Sequence, residues 1–500
     1  RTLGVLLVAA AAAGACAAQP PHAGRPPGVI LRLELKAPVD AFNGAIPAGA
    51  AGPYVVLSGV VHGALDPLAP ENAGIVDLDR APRDARGYVQ YTTDVVILRP
   101  KDARTARRVL FYDVNNRGNK LGQGTFIGGG ALVGGAAPGA DFPSLLGRGY
   151  TVVWSGWQGN IAQSGDAASG PLGTRFPVAH GPGGKSLEGF SREEFIPDYA
   201  GGSPTTIPLT YAPAAAGDHG SASLTARQSW LDARGREDYA APSIAVPDWH
   251  YVQNGDGSYA VSFTPPAAVP GPGGMVPADA GTIYSFVYRA KDPRVMGIGF
   301  AAVRDLVAFL RRGEADASGQ PNPLNDMKTA ACASASGHCV MQRRENFDLA
   351  IGEGISQSGR FLRDFLYQGF NRDGDGRKVF DGLLPIVPAA RRTWVNERFA
   401  QPGRWSKQHE DHWMPGDQFP FAYNEITDPV SGRTDGLLKR CAGTATCPKI
   451  MQLDGSFEWW GGRGSLVVTD GAGRDLRLPP NVRYYLVPGT QHTGGGGIGS

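Results

Sequence analysis

A serine flanked by small residues stands at position 356, in the segment Gly-Ile-Ser-Gln-Ser-Gly that runs from Gly354 to Gly359. Residues 347–352 before it read as a buried strand, and apolar side chains after it recur at helical spacing. A nucleophile on a sharp strand-to-helix turn needs small neighbours, because the backbone is strained and passes close to adjacent elements. Ser358 replaces the usual glycine two positions later. We predict Ser356 as the nucleophile, with Ser358, or a turn without chemistry, as alternatives.

Of the nine histidines, His492 is the best placed to act as a base. Residues 482–487 predict the last strand of a sheet, and His492 lies in the polar, glycine-rich segment that follows. Enzymes with a strand–turn–helix nucleophile carry their catalytic groups in the chain order serine, acid, histidine. We therefore predict that His492 takes the proton of the serine and returns it to the leaving group.

The acid should follow the preceding strand, which the pattern predicts at 449–453. Two carboxylates fit this position, Asp454 at the end of the strand and Glu458 four residues later. Asp470 is a more distant third candidate. The position in the chain leaves the choice between the first two open.

Two further sets of groups are predicted around the nucleophile. An oxyanion is held by backbone N–H groups, one from the residue after the nucleophile and one from the loop after an early strand. These two positions predict the Gln357 N–H as the first donor and the N–H of Asn116 or Arg117 as the second. Trp459 and Trp460 beside the candidate acid are predicted to keep water from it and to face the substrate.

The remaining pattern predicts the scaffold. Strand-like runs fill residues 29–100, and strands then alternate with helices, including an amphipathic helix at 299–311. This order predicts an α/β fold with a mostly parallel central sheet and antiparallel N-terminal strands. We expect one domain over 29–500, with 160–290 as a large inserted cap subdomain and 400–440 as a possible lid segment.

Several segments resemble a little-characterised family of exported bacterial alpha/beta hydrolase domain proteins. The resemblance covers most of residues 50–492. The segments that carry it are 354–371 (Gly-Ile-Ser-Gln-Ser-Gly-Arg-Phe-Leu-Arg-Asp-Phe-Leu-Tyr-Gln-Gly-Phe-Asn), 408–412, 417–421 and 489–492. It implies an α/β-hydrolase fold and a serine-hydrolase triad, and it puts Glu458 at the family's acidic position. It does not imply a defined substrate.

The first residues read as a processing signal. Residues 1–18 combine a positive start, a short apolar run and small residues, which is typical of a signal peptide, and 19–28 are predicted to be a flexible leader. Lipidation at Cys16 is the alternative to a soluble periplasmic or secreted protein. No later stretch is long and apolar enough for a membrane helix. Because this fold usually closes with a further helix and only eight residues follow His492, we expect a longer natural chain.

The other four cysteines form two local pairs, Cys332 with Cys339 and Cys441 with Cys447. Such short spacings over small and polar residues suit loop disulfides in an oxidising compartment. Zinc binding is the alternative, but neither pair has the Cys-x-x-Cys spacing.

Other function classes receive little support. The net charge is only +2, which does not suit nucleic-acid binding. His409 and His412 could share a helix face, yet no third metal ligand is evident. Residues 371–376 open like a calcium loop, but Gly382 stands where a glutamate is needed, so we expect a surface turn. No metal and no cofactor are predicted.

The residues together predict a serine esterase that forms an acyl-enzyme on Ser356, with His492 as base and Glu458 as acid. Its partner would be a small-molecule or polymer-derived ester. Two alternatives stay open, an amidase or peptidase with the same triad, and a non-catalytic exported binding protein on a hydrolase scaffold.

Overall fold

The computed structural model of the protein describes residues 25–196, 204–217, 219–229, 242–271, 273–279, 281–327, 345–402 and 418–492. The predicted signal peptide, Cys332 with Cys339, and the histidines at 409 and 412 lie outside the described residues. Among the described residues, no helix has the length and apolar character needed to cross a bilayer.

The first part of the chain is mainly extended. Its strands are β1 (Gly28–Leu35), β2 (Val39–Asp40), β3 (Tyr54–Leu65), β4 (Val89–Pro100), β5 (Val109–Asp113), β6 (Thr151–Ser155) and β7 (Thr174–Arg175). The long strands β3 and β4 pair antiparallel over their whole length. Both are rich in β-branched and aromatic residues, which favour a pleated, half-buried surface.

The last part of the predicted leader is packed against this region. The Arg25 guanidinium lies 4.4 Å from the centre of the Tyr88 ring, and the Tyr88 hydroxyl donates to the Pro26 carbonyl at 3.1 Å. Gly28 already belongs to β1. Residues 25–28 are therefore part of the folded domain, and the predicted leader ends too late.

The region predicted as an insertion has strands and an apolar core of its own. The strands are β8 (Glu188–Phe195), β9 (Thr205–Pro208), β10 (Ser223–Arg227), β11 (Ile244–Ala245), β12 (Trp249–Gln253), β13 (Tyr259–Phe263), β14 (Ala268–Gly271), β15 (Gly274–Pro277) and β16 (Ile283–Lys291). They form small sheets in the orders β11-β10-β16-β8, β12-β13-β9 and β14-β15. Aromatic residues such as Trp249, Phe286 and Tyr288 fill the space between them.

The second half of the chain alternates helices and strands. Its elements are α1 (Ile298–Arg312), β17 (Leu349–Ile355), α2 (Gln357–Tyr367), β18 (Gly382–Ile386), β19 (Ile426–Thr427), β20 (Thr434–Asp435), α3 (Lys439–Gly443), β21 (Lys449–Gly455), α4 (Ser456–Trp460) and β22 (Val482–Val487). Shorter 3₁₀ segments along the whole chain are Ala41–Gly44, Pro70–Asn72, Leu78–Arg80, Ala103–Thr105, Leu145–Arg148, Pro182–Gly184, Asn325–Met327 and Gly464–Val467, and Gln123–Ile127 is a π-helical turn.

Within the described residues the central sheet has eleven strands, in the order β1-β3-β4-β6-β5-β17-β18-β21-β22 with β2 beside β3 and β7 beside β4. In this spatial order, the six neighbouring strands β6, β5, β17, β18, β21 and β22 run parallel to one another. The N-terminal strands pair antiparallel, as predicted. Phe300 of α1 stacks on Phe361 of α2 with ring centres 4.7 Å apart, and both helices join the larger core cluster on one face. The carboxyl ends of the parallel strands therefore meet at one edge, where loops can assemble a site.

Two local predictions concern loops away from this edge. Cys441 and Cys447 form the predicted disulfide. In the calcium-like segment, Asp373 accepts the backbone N–H groups of Asp375 and Arg377, at 3.0 Å and 2.7 Å. Its other oxygen pairs with Arg312 at 3.0 Å. These bonds close a turn stabilised by the protein's own donors, and Asn371 and Asp373 at its base are buried.

Candidate active site

Ser356 occupies a sharp turn between β17 and α2. Its backbone has φ 61° and ψ −115°, a conformation that costs a non-glycine residue energy and persists only where the surroundings enforce it. Its N–H donates to the Ile386 carbonyl of β18 at 2.8 Å, and helix α2 begins immediately after it. The turn thus holds the hydroxyl at the carboxyl edge of the sheet.

The glycines of the segment are required by close approach of backbone. A Cβ on Gly354 would lie 2.4 Å from the Ser358 carbonyl oxygen, and one on Gly359 would lie 2.9 Å from the carbonyl oxygens of Gly354 and Ile386. The second tight contact falls three positions after the nucleophile candidate, at Gly359. This placement explains why a serine is accepted at 358.

Ser358 itself is fully buried and its hydroxyl donates to the Asn115 carbonyl at 2.9 Å. It therefore links α2 to the loop after β5, and its hydroxyl does not face His492. The geometry thus favours Ser356 over Ser358 as the nucleophile candidate.

A chain of hydrogen bonds runs from Ser356 through His492 to Glu458. Ser356 Oγ lies 2.6 Å from His492 Nε2, and His492 Nδ1 lies 2.5 Å from Glu458 Oε1. The second carboxylate oxygen accepts the Gly455 N–H at 3.0 Å. The Glu458 side chain is 1 % exposed and that of His492 is 25 % exposed, so the carboxylate is closed to water while the imidazole remains partly accessible. The structure brings together the three residues predicted from sequence.

Asp454, the other candidate acid, is fully buried but belongs to a different network. Its oxygens accept the Ala389 N–H at 3.0 Å and the Gln452 side-chain amide at 2.7 Å. Burial raises the pKa of this carboxyl group. Asp470 lies apart from both groups and pairs with Arg474 at 2.7 Å. Neither aspartate is placed on the imidazole of His492.

The loop after β5 approaches the same edge. The Asn116 N–H donates to the Asn119 carbonyl at 2.8 Å in a tight turn, and the Asn116 side chain donates to the Ile355 carbonyl at 3.0 Å. Its backbone donor is therefore engaged, which corrects the prediction of Asn116 as an oxyanion donor. Arg117 follows with a positive φ of 51°. Its backbone N–H is the donor of this loop that remains a candidate for binding the oxyanion. Gln357 begins α2, and the first N–H groups of a helix have no acceptor within it.

The two tryptophans beside Glu458 differ in exposure. Trp460 is 79 % exposed, so it does not shield the carboxylate as predicted, and Trp459 is partly buried. Phe457 instead packs edge-on against the imidazole of His492, with ring centres 5.4 Å apart. Phe457 immediately precedes the candidate acid and was not among the residues predicted from sequence.

A second group that the sequence analysis missed lies beneath the turn. Asp113 and Glu353 are register neighbours on the parallel strands β5 and β17, and both are buried. Trp154 Nε1 donates to Asp113 Oδ2 at 2.6 Å. Burial raises the pKa of both carboxyl groups, and the charge of Asp113 raises that of Glu353 further. Two adjacent buried carboxylates repel each other strongly, so we expect this pair to share a proton.

The fold and the strand–turn–serine–helix geometry are those of the α/β-hydrolase class. A family model described as an alpha/beta hydrolase domain matches residues 230–497, more than half of the chain. The chain belongs to this family, which confirms the resemblance to alpha/beta hydrolase domain proteins. No curated protein and no solved structure matches it. Across the described ranges, no group of three or more His, Cys, Asp or Glu side chains is arranged to hold a metal ion.

Proposed function

We propose that the protein is a carboxylic ester hydrolase that works through an acyl-enzyme on Ser356. Membership of the alpha/beta hydrolase family supports hydrolysis as the reaction class. The observation that carries the proposal is the continuous chain of short contacts, 2.6 Å from Ser356 to His492 and 2.5 Å from His492 to Glu458.

In this proposal His492 Nε2 accepts the hydroxyl proton as Ser356 Oγ attacks the ester carbonyl. The tetrahedral intermediate collapses, the alcohol leaves with the proton from the imidazolium, and an acyl-serine remains. Water then repeats the attack with His492 as base and releases the acid. Glu458 orients the imidazole through Nδ1 and stabilises its positive form. The Gly455 N–H holds this carboxylate in place.

The oxyanion of the intermediate is held by backbone donors. The Gln357 N–H lies at the N-terminus of α2, where the helix dipole adds positive potential. The Arg117 N–H is our proposed second donor. The side chain of Gln357 is buried and donates to the Pro402 carbonyl at 2.6 Å, which keeps the residue after the nucleophile in position.

We also propose that the protein is exported to the periplasm or secreted. The predicted signal peptide at 1–18 and the Cys441–Cys447 disulfide support this location, because disulfides persist in oxidising compartments. Expression in a bacterial host, followed by mass spectrometry of the N-terminal peptide, tests it. A free N-terminus near residue 18 in the periplasmic fraction supports export, a lipid on Cys16 supports anchoring, and an uncleaved cytosolic chain contradicts both.

The enzymatic proposal is tested with p-nitrophenyl acyl esters and matched p-nitroanilides. We expect the wild type to hydrolyse the esters, Ser356→Ala to lose this activity, and the matched serine variant Ser358→Ala to retain most of it. Faster cleavage of the anilides would replace the esterase with an amidase. Failure to cleave either series would favour a non-catalytic binding protein.

A further inference from the structure

Three arginines lie around the turn that carries Ser356. Arg117 is in the loop after β5, Arg360 is in the first turn of α2, and Arg391 follows β18. The Arg360 N–H donates to the Ser356 carbonyl at 3.0 Å, so this residue stands one helical turn after the serine. The charges of the other two arginines and of Glu458 all act on the Arg360 guanidinium. The three cations therefore share one neighbourhood with the candidate active site.

Arg360 is buried without a partner for its charge. It is only 6 % exposed, and its Nε has no hydrogen bond. Within the part of the chain that the structure describes, its guanidinium forms no ion pair. The Nε of Arg117 is likewise buried without a hydrogen-bond partner. Proteins rarely bury an unpaired cation, because desolvation is costly and no partner compensates for it.

The nearby carboxylates are engaged elsewhere. Glu458 is bonded to His492 and to the Gly455 N–H, and Asp454 accepts bonds from Ala389 and Gln452. Burial, with the charges of Arg391 and Arg117, lowers the pKa of Arg360 to about 9. The side chain remains a cation at neutral pH. An anion bound beside it would compensate for the desolvation of the guanidinium and for its repulsion by the other two arginines.

Resting on the proposed function, we propose that Arg360 and Arg117 bind a carboxylate of the substrate, so that the preferred ester carries a negative charge close to its scissile carbonyl. The guanidinium group matches a carboxylate with two parallel hydrogen bonds. Arg360 lies in the first turn of the helix that follows the nucleophile, and Arg117 lies in the loop proposed to hold the oxyanion. The substrate class is then a half-ester of a dicarboxylic acid, or an ester of a carboxylated alcohol.

A matched pair of esters tests the acyl side. Mono-p-nitrophenyl glutarate and p-nitrophenyl valerate have the same chain, which ends in a carboxylate or in a methyl group. We expect the wild type to favour the glutarate, and Arg360→Met to reduce the ratio of the two kcat/KM values roughly tenfold to a hundredfold, as for loss of a charged hydrogen bond. Arg474→Met, which removes an exposed arginine, is the matched control and should leave the ratio unchanged.

A second pair tests the alcohol side, with 4-carboxyphenyl butyrate and its methyl ester compared between the wild type and Arg360→Met. A loss of preference for the carboxylate in either pair supports the proposal. An unchanged ratio in both pairs overturns it. Arg360→Met should also resist urea at least as well as the wild type, because an unpaired buried cation is removed. A markedly weaker variant would show that Arg360 has a structural partner, and would count against the proposal.

Binding separates this inference from the esterase proposal. Glutarate is titrated calorimetrically into the Ser356→Ala protein and into the double variant that adds Arg360→Met. We expect the second change to weaken binding by roughly tenfold or more. Arginine-dependent binding without hydrolysis of any ester would leave the anion site standing and overturn the esterase. Hydrolysis without arginine dependence, together with no difference in glutarate binding, would overturn the anion site alone.

Discussion

Replacing Glu458 by glutamine removes the charge that faces the imidazole while nearly preserving size. The carboxylate lies 2.5 Å from His492 Nδ1 and is 1 % exposed, so water screens the interaction little. The imidazolium formed during proton transfer would lose its counter-charge, and the amide could stabilise the wrong tautomer. By analogy with acid-to-amide changes in serine hydrolases, we expect kcat/KM to fall roughly 10³-fold to 10⁴-fold. This corresponds to about 4–5.5 kcal/mol of transition-state stabilisation.

Asp454→Asn is the matched control, because it neutralises the other buried carboxylate, which belongs to β21. The asparagine oxygen can still accept the Ala389 N–H, but its amide group would face the Gln452 amide. We expect the free energy of unfolding to fall by about 1–3 kcal/mol and kcat/KM to stay within roughly tenfold of the wild type. Both variants are measured on p-nitrophenyl butyrate and by urea unfolding. A larger catalytic loss in Asp454→Asn than in Glu458→Gln would refute the assignment of the acid.

Three further predictions concern the scaffold around the site. Gly359→Ala would place a Cβ 2.9 Å from two backbone carbonyl oxygens. We expect the free energy of unfolding, measured by thermal unfolding, to fall by about 1–3 kcal/mol. An unchanged melting temperature would contradict the close packing. The raised pKa of Glu353 means that its contribution to stability is fully present below the usual glutamate pKa and is lost as pH rises through the folded-state pKa. Glu353→Gln should therefore flatten the fall in unfolding free energy towards higher pH, and an unaltered pH profile would argue against proton sharing with Asp113. Replacing Cys441 and Cys447 together by serine opens a short loop, and we expect the free energy of unfolding to fall by about 2 kcal/mol. Urea unfolding of this variant is compared with that of the oxidised and the reduced wild type. Equal stability of the two wild-type forms would contradict the prediction.

The sequence was sufficient to select Ser356 and His492 as candidates that the structure places in contact, because both depend on local order. Ser356 lies between a buried strand and an amphipathic helix, and His492 follows a strand near the end of the sequence. Parallel strands bring such loops to one edge of the sheet. The mostly parallel sheet followed from the alternation of strands and helices along the chain.

The acid could not be chosen from position alone, because Asp454 and Glu458 both follow the strand predicted at 449–453, whereas Asp454 in fact belongs to β21. The choice depends on α4, which turns Glu458 towards His492 while Asp454 points into the network with Gln452. Asn116 was wrongly retained as a donor because the tight turn that uses its N–H is a property of backbone geometry.

Other features depend on the order of strands in space. Asp113 and Glu353 are 240 positions apart and meet only because β5 and β17 are neighbours in the sheet. Between residues 188 and 291, β8 pairs with β16 and β9 with β13 over long sequence separations, so their registers were not readable from local patterns.

Labelling with a fluorophosphonate tests the central claim most directly, because the reagent reacts with a serine that a neighbouring base activates. Folded wild-type protein is treated, digested and mapped by mass spectrometry. We expect a single adduct on Ser356, none in Ser356→Ala, and strongly slowed labelling in His492→Ala. Absence of an adduct in folded wild-type protein, or an adduct on Ser358 instead, would contradict the account.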